Sequence, residues 1–220
     1  VTYNCQHLLP GLVAGLDREH IGHCMVVNNG APGRMTEFVA ANPAWEIVHK
    51  DNVGVCGGYN EILGRLADYD VVIVCNDDIT FPPGEFAKFV AAIQAAGPAQ
   101  IVLGFEYGCA AFPREAVARI GTFDENYWPG THSDLDYMRR AHLLGLAPIE
   151  ASVKFGHLGS ETFKTFPDGA HRAMLGASHD YHEKKWGGGL FQTPFDAGGP
   201  LNEWSLASDL KGTLTEQFTL

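Results

Sequence analysis

Short apolar runs and amphipathic segments take turns along the first half of the chain. VTY, HCMVV, WEIVH and VVIVC each precede a stretch whose apolar residues recur every three or four positions, the first being residues 6–19 with Leu8, Leu9, Leu12, Val13 and Leu16. The other stretches predicted as helices are RMTEFVAAN, residues 57–67 and residues 83–96. A run such as VVIVC has no polar alternation, which marks a strand buried on both faces, and repeated βα units of this kind build a parallel sheet covered by helices. The expected fold class is therefore α/β, with a Rossmann-like, mostly parallel central sheet flanked by helices.

The second half reads differently. QIVLGF and CAAF predict strands, PREAVARI a short helix with Pro113 at its start, residues 133–144 a helix with Asp134 and Asp136 in its first turn, and IEASVKFGH a last strand. Beyond Trp186 the tract GGGLFQTPFDAGGPLNEW loses periodicity and reads as an extended C-terminal arm, packed through Phe191, Phe195 and Trp204. The opening strand is short, so residues upstream of Val1 are expected.

Composition narrows the function classes. A chain of 220 residues with 45% hydrophobic and 19% charged residues can bury one core. A net charge of −11 disfavours a nucleic-acid partner, whose phosphates need Lys and Arg. The same field repels an anionic small ligand unless a cation reverses it locally. No apolar run reaches the roughly 20 residues of a membrane span. Five scattered cysteines without a CxxC pair predict free, mostly buried thiols and a cytoplasmic setting.

Open α/β sheets bind ligands at the carboxyl ends of their strands. Three such ends are polar here: Tyr3-Asn4, Asn28-Asn29 and Asn76-Asp77-Asp78. The two adjacent carboxylates after VVIVC stand too far before the next helix to cap it, and a hard divalent ion explains them better. Asp134 and Asp136 do not share a helix face, so one can look into the crevice while the other supports the helix start or pairs with Arg139 or Arg140. His157, just after a strand, is a candidate third ligand.

VTYN, VVNNGAPG, NVGVCGGYNEIL, VVIVCNDDITFPPG, GCAAFPREAVARIGTFDENYW, HSDLDYMRRAHLLG and FGHLGSET follow one another in an order and spacing that resembles family 2 glycosyltransferases of the GT-A fold. NDD looks like the rhamnosyltransferase-like variant of the family's DxD motif. The resemblance implies one GT-A domain over residues 1–220, with a nucleotide-sugar-binding half at 1–105, an acceptor and catalytic half at 106–187, and the arm at 188–220. It implies an inverting transfer of a sugar from a nucleotide-diphosphate donor to a hydroxyl of a glycan or other acceptor, with Mn²⁺ or Mg²⁺ as cofactor.

Carried over by position, Asp78 and His157 become the metal ligands and Asp134 the general base. Thr2, Tyr3 and Asn4 cradle the nucleotide base and Asn28 reads it. Asn52, Asn60, Asn76 and Asp77 face the donor. Lys184, Lys185 and Trp186 fall in a closing helix near the donor phosphates or the acceptor. Asn76 replaces the first Asp of the usual motif, and Ser133 replaces the acidic residue before the base.

Two other readings keep the fold and change the activity. A nucleotidyltransferase would carry a basic Gly-rich loop after its first strand, and VTYNCQHLLPG has no Lys or Arg. A silent carbohydrate-binding protein has no chemical need for Asp78, Asp134 and His157 together. HIGHC lacks a second ligand pair for zinc. His171, His179 and His182 read as solvated residues of one helix.

Overall fold

The structure is a computed structural model, and it describes residues 1–159, 161–167 and 169–187. In chain order it runs α1 (Leu9–Ala14), β1 (Met25–Asn28), α2 (Thr36–Ala41), β2 (Glu46–His49), α3 (Gly54–Leu63), β3 (Val71–Cys75), β4 (Ile79–Thr80), α4 (Glu85–Ala95), β5 (Val102–Phe105), β6 (Cys109–Pro113), α5 (Arg114–Ile120), α6 (Ser133–Leu143), β7 (Ile149–Glu150), β8 (Gly156–His157) and α7 (Ala170–Trp186). The expected arm and its Phe191, Phe195 and Trp204 lie outside the described residues.

β1 and β2 pair in parallel. The second sheet runs β3-β6-β5-β7, in which β5 and β7 are parallel and β6 is antiparallel to both of its neighbours. β3, β5 and β7 therefore share one direction, and β6 is reversed because only three residues separate it from β5, too few for a parallel crossover. Thr2 joins the two sheets: its N–H donates to Val27 O at 2.9 Å, and the Val1 nitrogen lies 3.4 Å from Cys75 O.

The alternation along β3 and β6 sorts the core into two layers. Val72, Val74, Ala110 and Phe112 face α3, α5 and α6, where Tyr59, Phe123 and Tyr137 pack. Val71, Ile73, Cys75, Cys109 and Ala111 face α4, with Phe86 and Phe89. Both faces of the sheet are covered, as the uninterrupted VVIVC run requires.

Two predicted elements divide. Residues 6–19 form a 3-10 turn (Gln6–Leu8), α1 and a second 3-10 turn (Arg18–His20). The break falls at Gly15, where a Cβ would meet Phe81 O at 2.6 Å, so the helix ends against the strand-end segment it covers. IEASVKFGH is two strands: β7 extends the main sheet beside β5, whereas β8 turns away to pair with β4. That departure carries His157 to Asp78.

Candidate active site

The three polar strand ends meet. Thr2 bridges Asn28 in parallel register, and Thr2 lies against Asp77. Asp77 and Asp78 are 5% and 6% exposed, which is unusual for carboxylates and points to a compensating partner. Burial pushes the Asp77 carboxyl up, partly offset by Thr2. Its Oδ2 has no hydrogen-bond partner.

Asp78 is fixed by the small β4–β8 sheet. Ile79 stands opposite His157, Leu158 N donates to Asp78 O at 3.3 Å, and Asp78 Oδ2 lies 3.2 Å from His157 Nε2. The Phe105 ring packs on the imidazole at 4.6 Å between centroids. One carboxylate oxygen and one imidazole nitrogen thus stand side by side at this strand end. Such a pair suits a divalent cation that completes its shell with phosphate oxygens and water. Among the described residues no group of three or more His, Cys, Asp or Glu side chains could hold an ion alone.

Asp134 occupies the first turn of α6, half-buried, and its carboxylate has no hydrogen-bond or ion-pair partner among the described residues. The turn that presents it is tight: His132 adopts φ 65°, and Ser133 Oγ donates to Gly130 O at 2.8 Å. Burial raises the Tyr59 and Tyr107 phenols, and the Asp134 charge adds to both shifts. The Tyr59 hydroxyl lies 2.7 Å from Asn76 Oδ1. The Asp134 charge is thus felt at Tyr59, the residue that holds Asn76.

Several residues predicted as donor contacts also hold the scaffold. Asn28 is fully buried; its Oδ1 accepts from Gln6 Nε2 at 2.9 Å and Gly30 N at 3.1 Å, and its Nδ2 donates to Gly30 O at 3.1 Å. That amide shapes the turn after β1. Asn60 clamps the segment before α6, donating to Phe123 O and Glu125 Oε1 and accepting from Phe123 N at 2.8 Å. Asn76 is engaged by Tyr59, and its N–H donates to Gly108 O at 2.7 Å. Tyr3 stacks on Phe166 at 5.5 Å, and Asn4 takes φ 58° beside Gly30.

Asn52 accepts from Gly54 N at 3.2 Å, and its own carbonyl faces Trp128 Nε1 at 3.4 Å. Gly54 has φ 72° and a Cβ there would strike the Trp128 ring at 2.8 Å, so only glycine lets this segment approach the loop before α6. Asn29, which sequence reasoning passed over for its neighbour, anchors the same segment by donating to Gly54 O at 2.9 Å, and its Oδ1 is buried without a partner. The doubled asparagine was its signal.

An Asn60→Ala variant separates scaffold from ligand contact. Loss of the clamp is expected to cost about 1–3 kcal/mol in urea unfolding, with sugar-nucleotide affinity unchanged. Weakened binding at full stability would return Asn60 to the donor site.

The end of α7 departs most from its sequence reading. Lys185 is buried, with Nζ 2.6 Å from Asp124 Oδ2 and 2.7 Å from Asp136 Oδ1. Trp186 Nε1 donates to Asp136 Oδ1 at 3.0 Å. His182 is fully buried between Tyr127 and Arg139, and burial followed by the Arg139 charge lowers its pKa to about 4. It is not a solvated histidine, and Lys185 and Trp186 do not reach out over phosphates. Asp136 pairs with Arg140 at 2.9 Å, one of the two pairings foreseen for it. His23 of the HIGHC segment pairs with Glu46 at 2.8 Å.

The sequence model described as Glycosyl transferase family 2 matches residues 1–145, well over half of the chain. The chain belongs to glycosyl transferase family 2. This family 2 glycosyltransferase has the GT-A arrangement of a mixed sheet between helical layers. Among solved structures it is similar to the mannosyltransferase PcManGT from Pyrobaculum calidifontis, in complex with GDP-Man and Mn²⁺, at 16% identity and a TM-score of 0.49, over 99% of this chain and 79% of that one. No curated protein matches it. Among the described residues of the glycosyltransferase no helix is long and apolar enough to cross a membrane.

Proposed function

We propose that this glycosyltransferase moves a sugar from a nucleotide-diphosphate donor to an acceptor hydroxyl with inversion, Asp134 acting as general base. The observation that carries the reading is a half-buried Asp134 carboxylate without a partner among the described residues, in a chain whose buried Asp78 stands against His157. The acceptor oxygen attacks the anomeric carbon and Asp134 takes its proton. The bond from that carbon to the diphosphate oxygen breaks, and the nucleotide diphosphate leaves from the opposite face. A carboxylate suits the task because it needs only hydrogen-bond reach to the hydroxyl.

Asp78 and His157 are the residues that would hold Mn²⁺ or Mg²⁺, with Asp77 beside them toward the donor. An ion bound there supplies positive charge against the departing diphosphate. Thr2, Tyr3, Asn4 and the Asn52–Gly54 segment line the donor side.

The test is a thermal-shift panel of UDP-, GDP- and dTDP-sugars with Mn²⁺, then with EDTA. At a ligand concentration of about 100 Kd the stabilisation is about 2.7 kcal/mol, a rise of roughly 5–10 °C for a chain of this size. Stabilisation is expected for at least one sugar nucleotide and is lost with EDTA. A panel without any EDTA-sensitive shift counts against the reading.

A further inference from the structure

The family match ends at residue 145, yet α7 lies beyond it and sends Lys185 into the interior of the acceptor half. The Lys185 side chain is 4% exposed and touches two carboxylates at once, Asp124 at 2.6 Å and Asp136 at 2.7 Å. Burial alone would raise the Asp124 carboxyl, but Lys185 together with hydrogen bonds from Tyr181 and Asn126 holds that group below its usual range. Asp136 is fully buried, two residues after Asp134, in the same helical turn. Asp124 opens the loop that continues to Trp128 and Pro129. That loop in turn grips the donor side, because Pro129 O accepts from Val55 N at 2.6 Å and Trp128 Nε1 faces Asn52 O.

A buried charge triad adds little net stability, since desolvation cancels most of its attraction and apolar side chains would fill the same space. What it provides is a single geometry, because each charge is costly in any other position. We propose that Lys185 is a positioning residue for sugar transfer: by bridging Asp124 and Asp136 it fixes where Asp134 stands relative to the Asn52–Gly54 donor segment. The inference rests on Asp134 as the base.

The experiment compares wild type, Lys185→Met, the double variant Lys185→Met/Asp124→Asn, and Asp134→Asn. The double variant removes one orphaned charge and leaves Asp136 held by Arg140 and Trp186, so it keeps stability that the single variant loses. Hydrolysis is measured with whichever of UDP-glucose, GDP-mannose and dTDP-rhamnose wild type turns over fastest with Mn²⁺. Amide hydrogen exchange over α6 is read without ligand. The expected result is a kcat 10- to 100-fold lower in both lysine variants, KM within twofold of wild type, and at least tenfold faster exchange in the first turn of α6 with β3 unchanged. The double variant recovers the thermal midpoint but not kcat.

Recovery of kcat together with stability, or unchanged exchange at Ser133–Asp136, overturns the inference. An inactive Asp134→Asn beside a fully active Lys185→Met sinks the positioning role alone. A fully active Asp134→Asn sinks the base and the positioning role together.

Discussion

Replacing Asp134 with asparagine is expected to lower turnover by about 10²–10⁴-fold and to change little else. The substitution keeps shape and removes only basicity. The Asp134 carboxylate makes no hydrogen bond or ion pair among the described residues, so the fold loses no side-chain hydrogen bond. A side chain of that kind changes stability by about 0.5 kcal/mol or less. The proposed donor contacts lie on the strand ends, not on α6, so the EDTA-sensitive thermal shift should survive. Initial rates, KM and the thermal midpoint of one preparation check all three. A variant that turns over at the wild-type rate removes Asp134 from the chemistry.

Asp78→Ala is expected to act on the other side of the crevice. It deletes the carboxylate 3.2 Å from His157 Nε2 and leaves an imidazole and the buried Asp77, too few donors for a hard cation. The Mn²⁺-dependent stabilisation by sugar nucleotide should disappear, and turnover should fall about 10²–10³-fold, the scale for losing one group that meets developing charge. The local fold should persist, because the contacts joining β4 and β8 are backbone: Ile79 opposite His157, and Leu158 N donating to Asp78 O. Isothermal titration with Mn²⁺ and nucleotide measures the first effect, and far-UV circular dichroism the second. Retained, EDTA-sensitive donor binding would move the cation away from Asp78.

Strands were legible where burial is symmetrical. VVIVC announced β3 because both its faces are covered, and the polar residues after it point to the proposed site because a sheet has no structural use for two carboxylates at a strand end. The asparagines were not legible at the same depth. Whether an amide meets a ligand or the backbone depends on partners far along the chain, such as Gln6 for Asn28 and Phe123 for Asn60. Their residue type alone gives no direction. α7 misled for a related reason: its polar residues have the spacing of a solvated helix, but Tyr181, His182, Lys185 and Trp186 are buried against Asp124, Asp136 and Arg139. A helix buried through its charges leaves no apolar stripe to read. The division of IEASVKFGH into β7 and β8 was hidden because each half pairs with a different strand.

The β4–β8 pairing also bears on the order of folding. Asp78 and His157 are 79 positions apart, and only two residue pairs hold their segments together. Closing so long a loop carries an entropic cost that so brief a ladder repays only after the main sheet has brought its ends close. The cation pair is therefore expected to be among the last parts of the molecule to form and among the first to open. Metal and nucleotide should then slow unfolding far more than they speed refolding, leaving their mark on one arm of the chevron.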